Sequence, residues 1–209
     1  MVNPPRPSRE NYYHVLAGVL PTDSLVVTAL GNASYLWSVV RDAAENFYLE
    51  DAMGLALPLA LGLAVAQPTR EIVVVEGDGG LLMHMGGLVT VAAAAPDNLT
   101  VLLIDNGMHG ASGGQALAGQ DLDFVGLGRA TGLKYSERIE TEEGLRTALA
   151  RAFETSGPSF LALATAPDIE VVAPLVWRDP VEIKRRFMEA IGTQRYMPTL
   201  FGGGMLEGS

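Results

Sequence analysis

Two polar side chains, Asp78 and Asn106, follow two apolar runs of the sequence at a spacing suited to neighbouring strands of a parallel sheet. Asp78 lies in the Gly-Asp-Gly-Gly stretch 77–80, which follows the apolar run 72–75, and Asn106 follows the run 99–104. The carboxyl ends of parallel strands meet at one edge, where open α/β sheets bind ligands. Carboxylate and amide oxygens suit Mg²⁺ that also holds phosphates, and glycines let a phosphate approach backbone amides. The pattern therefore predicts a metal–diphosphate site.

The same residues carry a resemblance to a known family. The spacing from Gly77-Asp78-Gly79 to Asn106 resembles the cofactor-binding motif of thiamine-diphosphate-dependent enzymes, and the segment 77–115 is similar to sulfopyruvate and phosphonopyruvate decarboxylases. The likeness runs roughly over residues 23–167. It implies an α/β fold with a doubly wound parallel sheet, the pyrophosphate-binding domain of this family. The alternative is a fortuitous Gly-Asp-Gly turn in an unrelated doubly wound protein.

Composition limits the classes of function. Apolar residues make up 48% and charged residues 18% of 209 residues, which indicates a globular chain with a sparsely charged surface and mildly favours a subunit over a monomer. The net charge of −10 argues against nucleic-acid binding, and the basic triplet 184–186 is typical of a solvated helix face. No cysteine is present, which excludes a thiol nucleophile. The apolar stretch 53–66 is too short to span a membrane and contains Pro58, so we expect a cytoplasmic protein.

Strand and helix patterns alternate along the chain, which predicts five parallel strands with right-handed crossovers. We expect strands over residues 24–30, 72–76, 99–104, 134–139 and 159–165. We expect helices over residues 8–20, 34–42, 52–66, 81–95, 123–131, 141–155 and 180–191. The pattern favours a single domain over residues 1–196, followed by a flexible glycine-rich tail over 197–209. The glycine-rich segment 106–120 is predicted to be a long functional loop.

The resemblance implies which residues hold thiamine diphosphate and Mg²⁺. The side chains of Asp78 and Asn106 and the carbonyl of Met108 would bind the metal. The cofactor-binding residues are expected to be Gly31, Asn32, Asp51, Met53, Gly77, Asp78, Gly79, Gly80, Asn106, Met108, His109 and Gly110.

Four of these assignments carry alternatives or departures from the family. Many relatives have Ser at the position of Gly80. Met53 would support the bent cofactor, or else belongs to an ordinary helix core. Asp51 replaces a glycine that is common in relatives, although the implied contact uses only its backbone carbonyl. Gly31 with Asn32 would reach the far side of the diphosphate, or else forms a simple strand-end turn.

The loop after Asn106 supplies candidate substrate and catalytic residues. His109 stands where relatives such as sulfopyruvate decarboxylase carry Tyr. It is a candidate proton donor, because the ordinary pKa of histidine lies near neutrality, or it orders the loop. Ser112 and Gln115 are candidate ligands of an anionic substrate tail, or else belong to a mobile polar linker.

The glutamate that pairs with the pyrimidine ring in this family has no counterpart in the chain. The resemblance therefore implies an alpha-type, pyrimidine-binding partner subunit that supplies this Glu, in a hetero-oligomer with pairs of each chain. The expected activity is thiamine-diphosphate-dependent decarboxylation of a small 2-oxo acid such as sulfopyruvate or phosphonopyruvate. A split carboligase of the acyloin or acetolactate type is the alternative, because it would anchor the cofactor in the same way. A non-catalytic scaffold is disfavoured by the intact pair Asp78 and Asn106.

Overall fold

The fold is built on parallel strands. The computed structural model describes residues 5–119, 121–167 and 179–192. In chain order the strands are β1 (Leu25–Thr28), β2 (Asn46–Tyr48), β3 (Ile72–Gly77), β4 (Leu99–Asp105), β5 (Met108–His109), β6 (Gln115–Ala116), β7 (Tyr135–Ile139) and β8 (Ser159–Ala164). Six of them form one sheet in the order β2-β1-β3-β4-β8-β7, and every neighbouring pair is parallel. This arrangement confirms the predicted α/β fold.

Helices cover both faces of this sheet. In chain order they are α1 (Arg9–Val19), α2 (Asn32–Val40), α3 (Ala56–Ala66), α4 (Asp78–Met83), α5 (Gly86–Ala94), α6 (Phe124–Thr131), α7 (Glu142–Glu154) and α8 (Pro180–Ala190). The apolar side chains of α3, α5 and α6 pack on one face, and those of α1, α2 and α7 on the other. Helix α8 packs beside the edge strand β2.

The central strands are buried on both sides, which explains their continuous apolar sequences. Val74 of β3 and Leu103 of β4 point into the α3 side, whereas Val73 and Leu102 point into the α1 side. Because successive side chains of a strand alternate between faces, each apolar run contributes to two cores. Within the described residues, no helix has the length and apolar character needed to cross a membrane.

The prediction of five strands was wrong by one, because β2 forms a sixth strand at the edge of the sheet. It contains three residues, Asn46-Phe47-Tyr48, and a run of that length has no recognisable period. Its position depends on parallel pairing with β1 and on packing against α8. These contacts come from distant parts of the chain, so no local pattern could reveal them.

The predicted helix over residues 81–95 is two helices. Helix α4 already begins at Asp78, so the Gly-Asp-Gly-Gly stretch forms its first turn, and the chain breaks at His84 and Met85 before α5. Gly86 and Gly87, both poor helix formers, follow the break. The helix predicted from residue 52 begins later, at Ala56.

The segment 106–120 is more ordered than a plain loop. Met108 pairs with Ala116 and His109 with Gln115 in a short antiparallel hairpin, and a 3₁₀ turn over Gly110–Ser112 lies between the two strands. The N–H of Leu117 donates to the carbonyl of Gly107 at 2.9 Å, which closes the base of the hairpin. The predicted tail over 197–209, and with it the domain boundary at residue 196, lies outside the described residues.

Stability is expected to fall as pH rises through a window set by buried glutamates. Burial raises the pKa of Glu71 to about 7, against the opposing hydrogen bond from Thr100, and burial also raises the pKa of Glu76 to about 7. Between the ordinary pKa and about 7 the folded state therefore binds more protons than the unfolded state, so deprotonation destabilises it.

Replacing Glu71 with Gln should remove the part of this pH dependence that comes from the Glu71 carboxyl. At pH 8 we expect Glu71→Gln to melt about 5 °C above the parent protein, and at pH 4.5 to melt at the same temperature. Thermal unfolding across this pH range measures the effect. The exposed Glu154 provides a matched control, because Glu154→Gln should keep the parental slope. An unchanged slope in Glu71→Gln would contradict the assignment.

Candidate functional site

The carboxylate of Asp78 joins two loops at the carboxyl edge of the sheet. Its Oδ2 accepts hydrogen bonds from the backbone N–H groups of Asn106 at 3.0 Å and Gly107 at 2.7 Å, and its Oδ1 accepts one from the N–H of Gly79 at 2.7 Å. The side chain is 2% exposed. Burial raises the pKa of Asp78, whereas these three N–H groups act in the opposite direction. The predicted proximity of Asp78 and Asn106 is therefore observed.

The three residues predicted to bind a metal, Asp78, Asn106 and Met108, line one cavity at this edge. Asn106 is buried, and its Oδ1 accepts a hydrogen bond from the N–H of Met108 at 3.1 Å, which orients its amide. One carboxylate, one amide and a backbone carbonyl are the hard oxygen ligands that Mg²⁺ accepts when phosphates and water complete its octahedron. In the part of the chain that the structure describes, no three His, Cys, Asp or Glu side chains cluster as metal ligands. The donor set fits Mg²⁺ shared with a phosphate ligand.

A cavity of about 220 Å³ opens beside Asp78 and is lined by most of the predicted site residues. Those residues are Asn32, Met53, Gly77, Asp78, Gly79, Gly80, Asn106, Met108, His109, Gly110 and Ser112. They come from four separate segments of the chain. Their common cavity is consistent with one binding site, while the role of each residue stays a prediction.

Three predicted residues do not line this cavity. Gly31 lies behind it with a φ of 70°, and a Cβ atom there would meet the Cβ of Ala111 at 3.1 Å, so glycine allows the α2 turn and the 3₁₀ turn to approach closely. The side chain of Asp51 is exposed. Gln115 is exposed and donates from Nε2 to the carbonyl of Ser112 at 2.9 Å, while Ser112 Oγ donates to Gln115 Oε1 at 2.9 Å. These two predicted substrate ligands bond to each other across the hairpin.

His109 and Met53 converge on Gly79. A Cβ atom at Gly79 would lie 2.6 Å from His109 Cε1 and 3.1 Å from Met53 Cε, so only glycine leaves room for both side chains. Met53 lies in the segment before α3 and not within a helix. This position excludes the alternative that Met53 is an ordinary residue of a helix core. The imidazole of His109 therefore lies against the first turn of α4, inside the cavity.

Glu76 is a cavity residue that the sequence analysis did not identify. It is 1% exposed at the end of β3, and its Oε1 accepts a hydrogen bond from the N–H of Gly77 at 3.0 Å. Its Oε2 has no hydrogen-bond partner among the described residues. Burial raises its pKa, and the backbone N–H groups of Gly77, Leu57 and Ala56 act in the opposite direction. The sequence signal that could have identified Glu76 was a charged residue at the end of an otherwise apolar strand.

Glu76 also explains the glycine at position 80. A Cβ atom on Gly80 would lie 2.3 Å from Glu76 Oε1, which is closer than atoms can approach. The carboxyl of Glu76 thus occupies the space that a side chain at position 80 would need. The two residues form a coupled pair beneath the first turn of α4.

Arg9 is a second cavity residue that the sequence analysis did not identify. It is 7% exposed in α1, far along the chain from Asp78, yet it lines the same cavity. Nothing in the local sequence distinguishes it from a solvated helix residue, so only the tertiary structure identifies it.

Comparisons with known proteins agree with this geometry. The family model described as "Thiamine pyrophosphate enzyme, C-terminal TPP binding domain" matches residues 33–163. Phosphonopyruvate decarboxylase of Streptomyces viridochromogenes is 37% identical over 190 residues, which cover 90% of this chain and 47% of that protein. Sulfopyruvate decarboxylase subunit beta of Methanothermobacter thermautotrophicus is 33% identical over 179 residues, covering 84% of this chain and 91% of that subunit.

Solved structures support the fold. The benzoylformate decarboxylase from Polynucleobacter necessarius superposes with a TM-score of 0.69 at 22% identity, covering 78% of this chain and 34% of that one. The chain spans about half the length of the phosphonopyruvate decarboxylases that it matches.

The coupling of Glu76 and Gly80 predicts non-additive effects on stability. Gly80→Ser should destabilise the fold by about 1–3 kcal/mol, because the new Cβ displaces a buried carboxyl. Glu76→Ala removes the side chain that the new Cβ would overlap. The double variant should therefore lose at least about 1 kcal/mol less free energy of unfolding than the sum of the two single losses. Denaturant unfolding of the four proteins measures this coupling.

Gly77 supplies the matched control, since a Cβ atom there meets nothing within 4 Å. Gly77→Ser should lower the free energy of unfolding much less than Gly80→Ser does. Its effect should add to that of Glu76→Ala, because no steric overlap connects the two changes. Additive effects of Gly80→Ser and Glu76→Ala would show that the two side chains do not compete for space.

Proposed function

The chain belongs to the thiamine pyrophosphate enzymes, as their C-terminal TPP-binding domain, and from this membership we propose that it binds thiamine diphosphate with Mg²⁺ and acts as the beta-type subunit of a 2-oxo acid decarboxylase. The observation that carries the proposal is the buried Asp78 carboxylate hydrogen-bonded to the turn of Asn106, inside one cavity with Met53 and the glycines of α4. Sulfopyruvate and phosphonopyruvate are the first substrates to test. We also propose a cytoplasmic location, as the sequence predicts.

In this proposal the chain's own residues anchor the diphosphate end of the cofactor. Asp78 and Asn106 would hold Mg²⁺ together with the Met108 carbonyl. The N–H of Gly80 would face the phosphates, since the N–H of Gly79 already donates to Asp78. Thiamine diphosphate, when bound, would supply an electron sink for the loss of carbon dioxide. Met53 would support the bent cofactor, and His109 would act as a proton donor.

The proposal includes an alpha-type partner that supplies the pyrimidine-facing Glu. The same segment forms about half of a phosphonopyruvate decarboxylase and nearly all of a separately encoded subunit beta. This comparison supports a second half that completes the enzyme. Leu55 and Met83 are exposed apolar residues on the two segments that also carry the cavity residues Met53 and Gly80. These two segments meet at Gly54, so this exposed apolar surface is suitable for the partner.

A carboligase is less well supported. The acetolactate synthases that match this chain are 29–30% identical, and their matches cover 56% and 63% of it, against 84% and 90% for the two decarboxylases above. The two activities differ in product, because a decarboxylase releases an aldehyde and a carboligase passes the same intermediate to a second carbonyl compound.

Removal of the Asp78 carboxylate should abolish metal-dependent cofactor binding. We expect Asp78→Ala and Asp78→Asn to weaken Mg²⁺-dependent binding of thiamine diphosphate by at least about 100-fold, because either change removes the charged metal ligand. Calorimetric titration with and without EDTA measures it. The exposed Asp121 lies outside the cavity, and Asp121→Asn should bind as the parent does. Unchanged affinity in both Asp78 variants would show that the site is wrong.

Reconstitution tests the reaction and the partner. The chain with Mg²⁺ and thiamine diphosphate should release carbon dioxide from a panel of 2-oxo acids only when an alpha-type chain is added, with an aldehyde as the product. Full activity without a partner would contradict the two-chain proposal, and an acyloin product would indicate a carboligase.

Glu76→Gln should retain most of the activity, because the partner's Glu, and not the buried Glu76, is the proposed base.

A further inference from the structure

Arg9 places a buried cation in the wall of the cavity. Its side chain is 7% exposed, and within the described ranges it is the one Lys or Arg among the lining residues. It lies outside residues 33–163, the part of the chain that matches the thiamine pyrophosphate family model. Helix α1, which carries this arginine, ends before the matched part begins.

Hydrogen bonds fix helix α1 to the carboxyl end of β8 and to α2. The N–H of Ala166 donates to the carbonyl of Pro7 at 3.1 Å, just before α1 begins. The hydroxyl of Tyr12 donates to the carbonyl of Ala164, the last residue of β8, at 3.3 Å. The hydroxyl of Tyr13 donates to the carbonyl of Ala33 in α2 at 3.2 Å.

These contacts determine where Arg9 points. Tyr13 is four residues after Arg9, so the two side chains share a face of α1. Ala33, the partner of Tyr13, itself lines the cavity. The anchoring of Tyr12 and Tyr13 thus holds the guanidinium of Arg9 against the cavity, and a fixed cation loses little entropy on binding an anion.

A cation at this position complements the charge that the proposed ligand brings. The carboxylate of Asp78 is buried in the wall of the cavity, so a diphosphate would add further negative charge beside it. A guanidinium presents a planar fork of N–H donors that matches phosphate oxygens, and such charge-assisted hydrogen bonds are strong at buried positions. One Mg²⁺ ion alone would leave this excess of negative charge only partly neutralised.

We propose that Arg9 is a direct phosphate ligand, a second cationic contact to the diphosphate of the thiamine cofactor beside Mg²⁺. This inference rests on the proposed function of the site. The anionic tail of the substrate offers the same chemistry, but Arg9 shares its cavity with Gly77–Gly80, the residues expected to face the diphosphate. The diphosphate is therefore the assigned ligand.

The test compares phosphate-bearing ligands in the presence of Mg²⁺. Arg9→Gln should weaken binding of thiamine diphosphate and of inorganic pyrophosphate by about 10-fold or more, with Arg9→Lys intermediate. Both losses should be measured by calorimetry on the full chain, alone and with an alpha-type partner. Arg6, three residues earlier and exposed, gives the matched control, because Arg6→Gln removes the same charge and should leave both affinities unchanged.

Several outcomes would overturn the assignment. Equal affinities of the parent and Arg9→Gln for both ligands would show that Arg9 does not contact the diphosphate. An unchanged cofactor affinity with a raised KM for the anionic 2-oxo acid would assign Arg9 to the substrate instead. If Arg9→Gln and Arg9→Lys lose affinity equally and also melt at a lower temperature than the parent, the role is structural packing. Failure of the parent protein to bind thiamine diphosphate would instead refute the proposed function itself.

Discussion

The candidate site depends on the hydrogen bonds of one buried carboxylate. Asp78 accepts from the N–H of Gly79 in its own turn and from the N–H groups of Asn106 and Gly107 in the turn after β4. These bonds fix the two loops at the carboxyl edge relative to each other. Because a buried carboxylate is costly unless its oxygens are paired, they both satisfy Asp78 and determine the geometry of the site.

Other elements complete the cavity around this fixed pair. The hairpin of β5 and β6 brings His109 against Gly79, and the segment before α3 brings Met53 to the same glycine. Helix α1 adds Arg9 from the opposite side. Each of these contacts joins segments far apart in the sequence. The hydrogen bonds of Asp78 therefore fix the two turns of the motif, whereas the other walls of the cavity depend on how the surrounding elements pack.

The pair of Glu76 and Gly80 shows how one buried side chain restricts another position. A Cβ atom at position 80 would overlap the carboxyl of Glu76, so the residue type at position 80 depends on Glu76. The sequence gives no sign of this dependence. The structure brings the two residues together from opposite sides of the Gly77-Asp78 turn.

The sequence by itself determined the α/β class, the central strands, and the pair Asp78 and Asn106, because buried parallel strands are continuous apolar runs and their ends fall at the same edge. It did not determine β2, the break between α4 and α5, or the hairpin after Asn106. These features depend on pairing and packing between distant segments, which leave no period in a short stretch. Packing of α1 likewise brings Arg9 into the site, and only the structure shows that Glu76 lines the cavity. The local sequence determines which residues follow a strand, whereas only the tertiary structure determines which other side chains surround them.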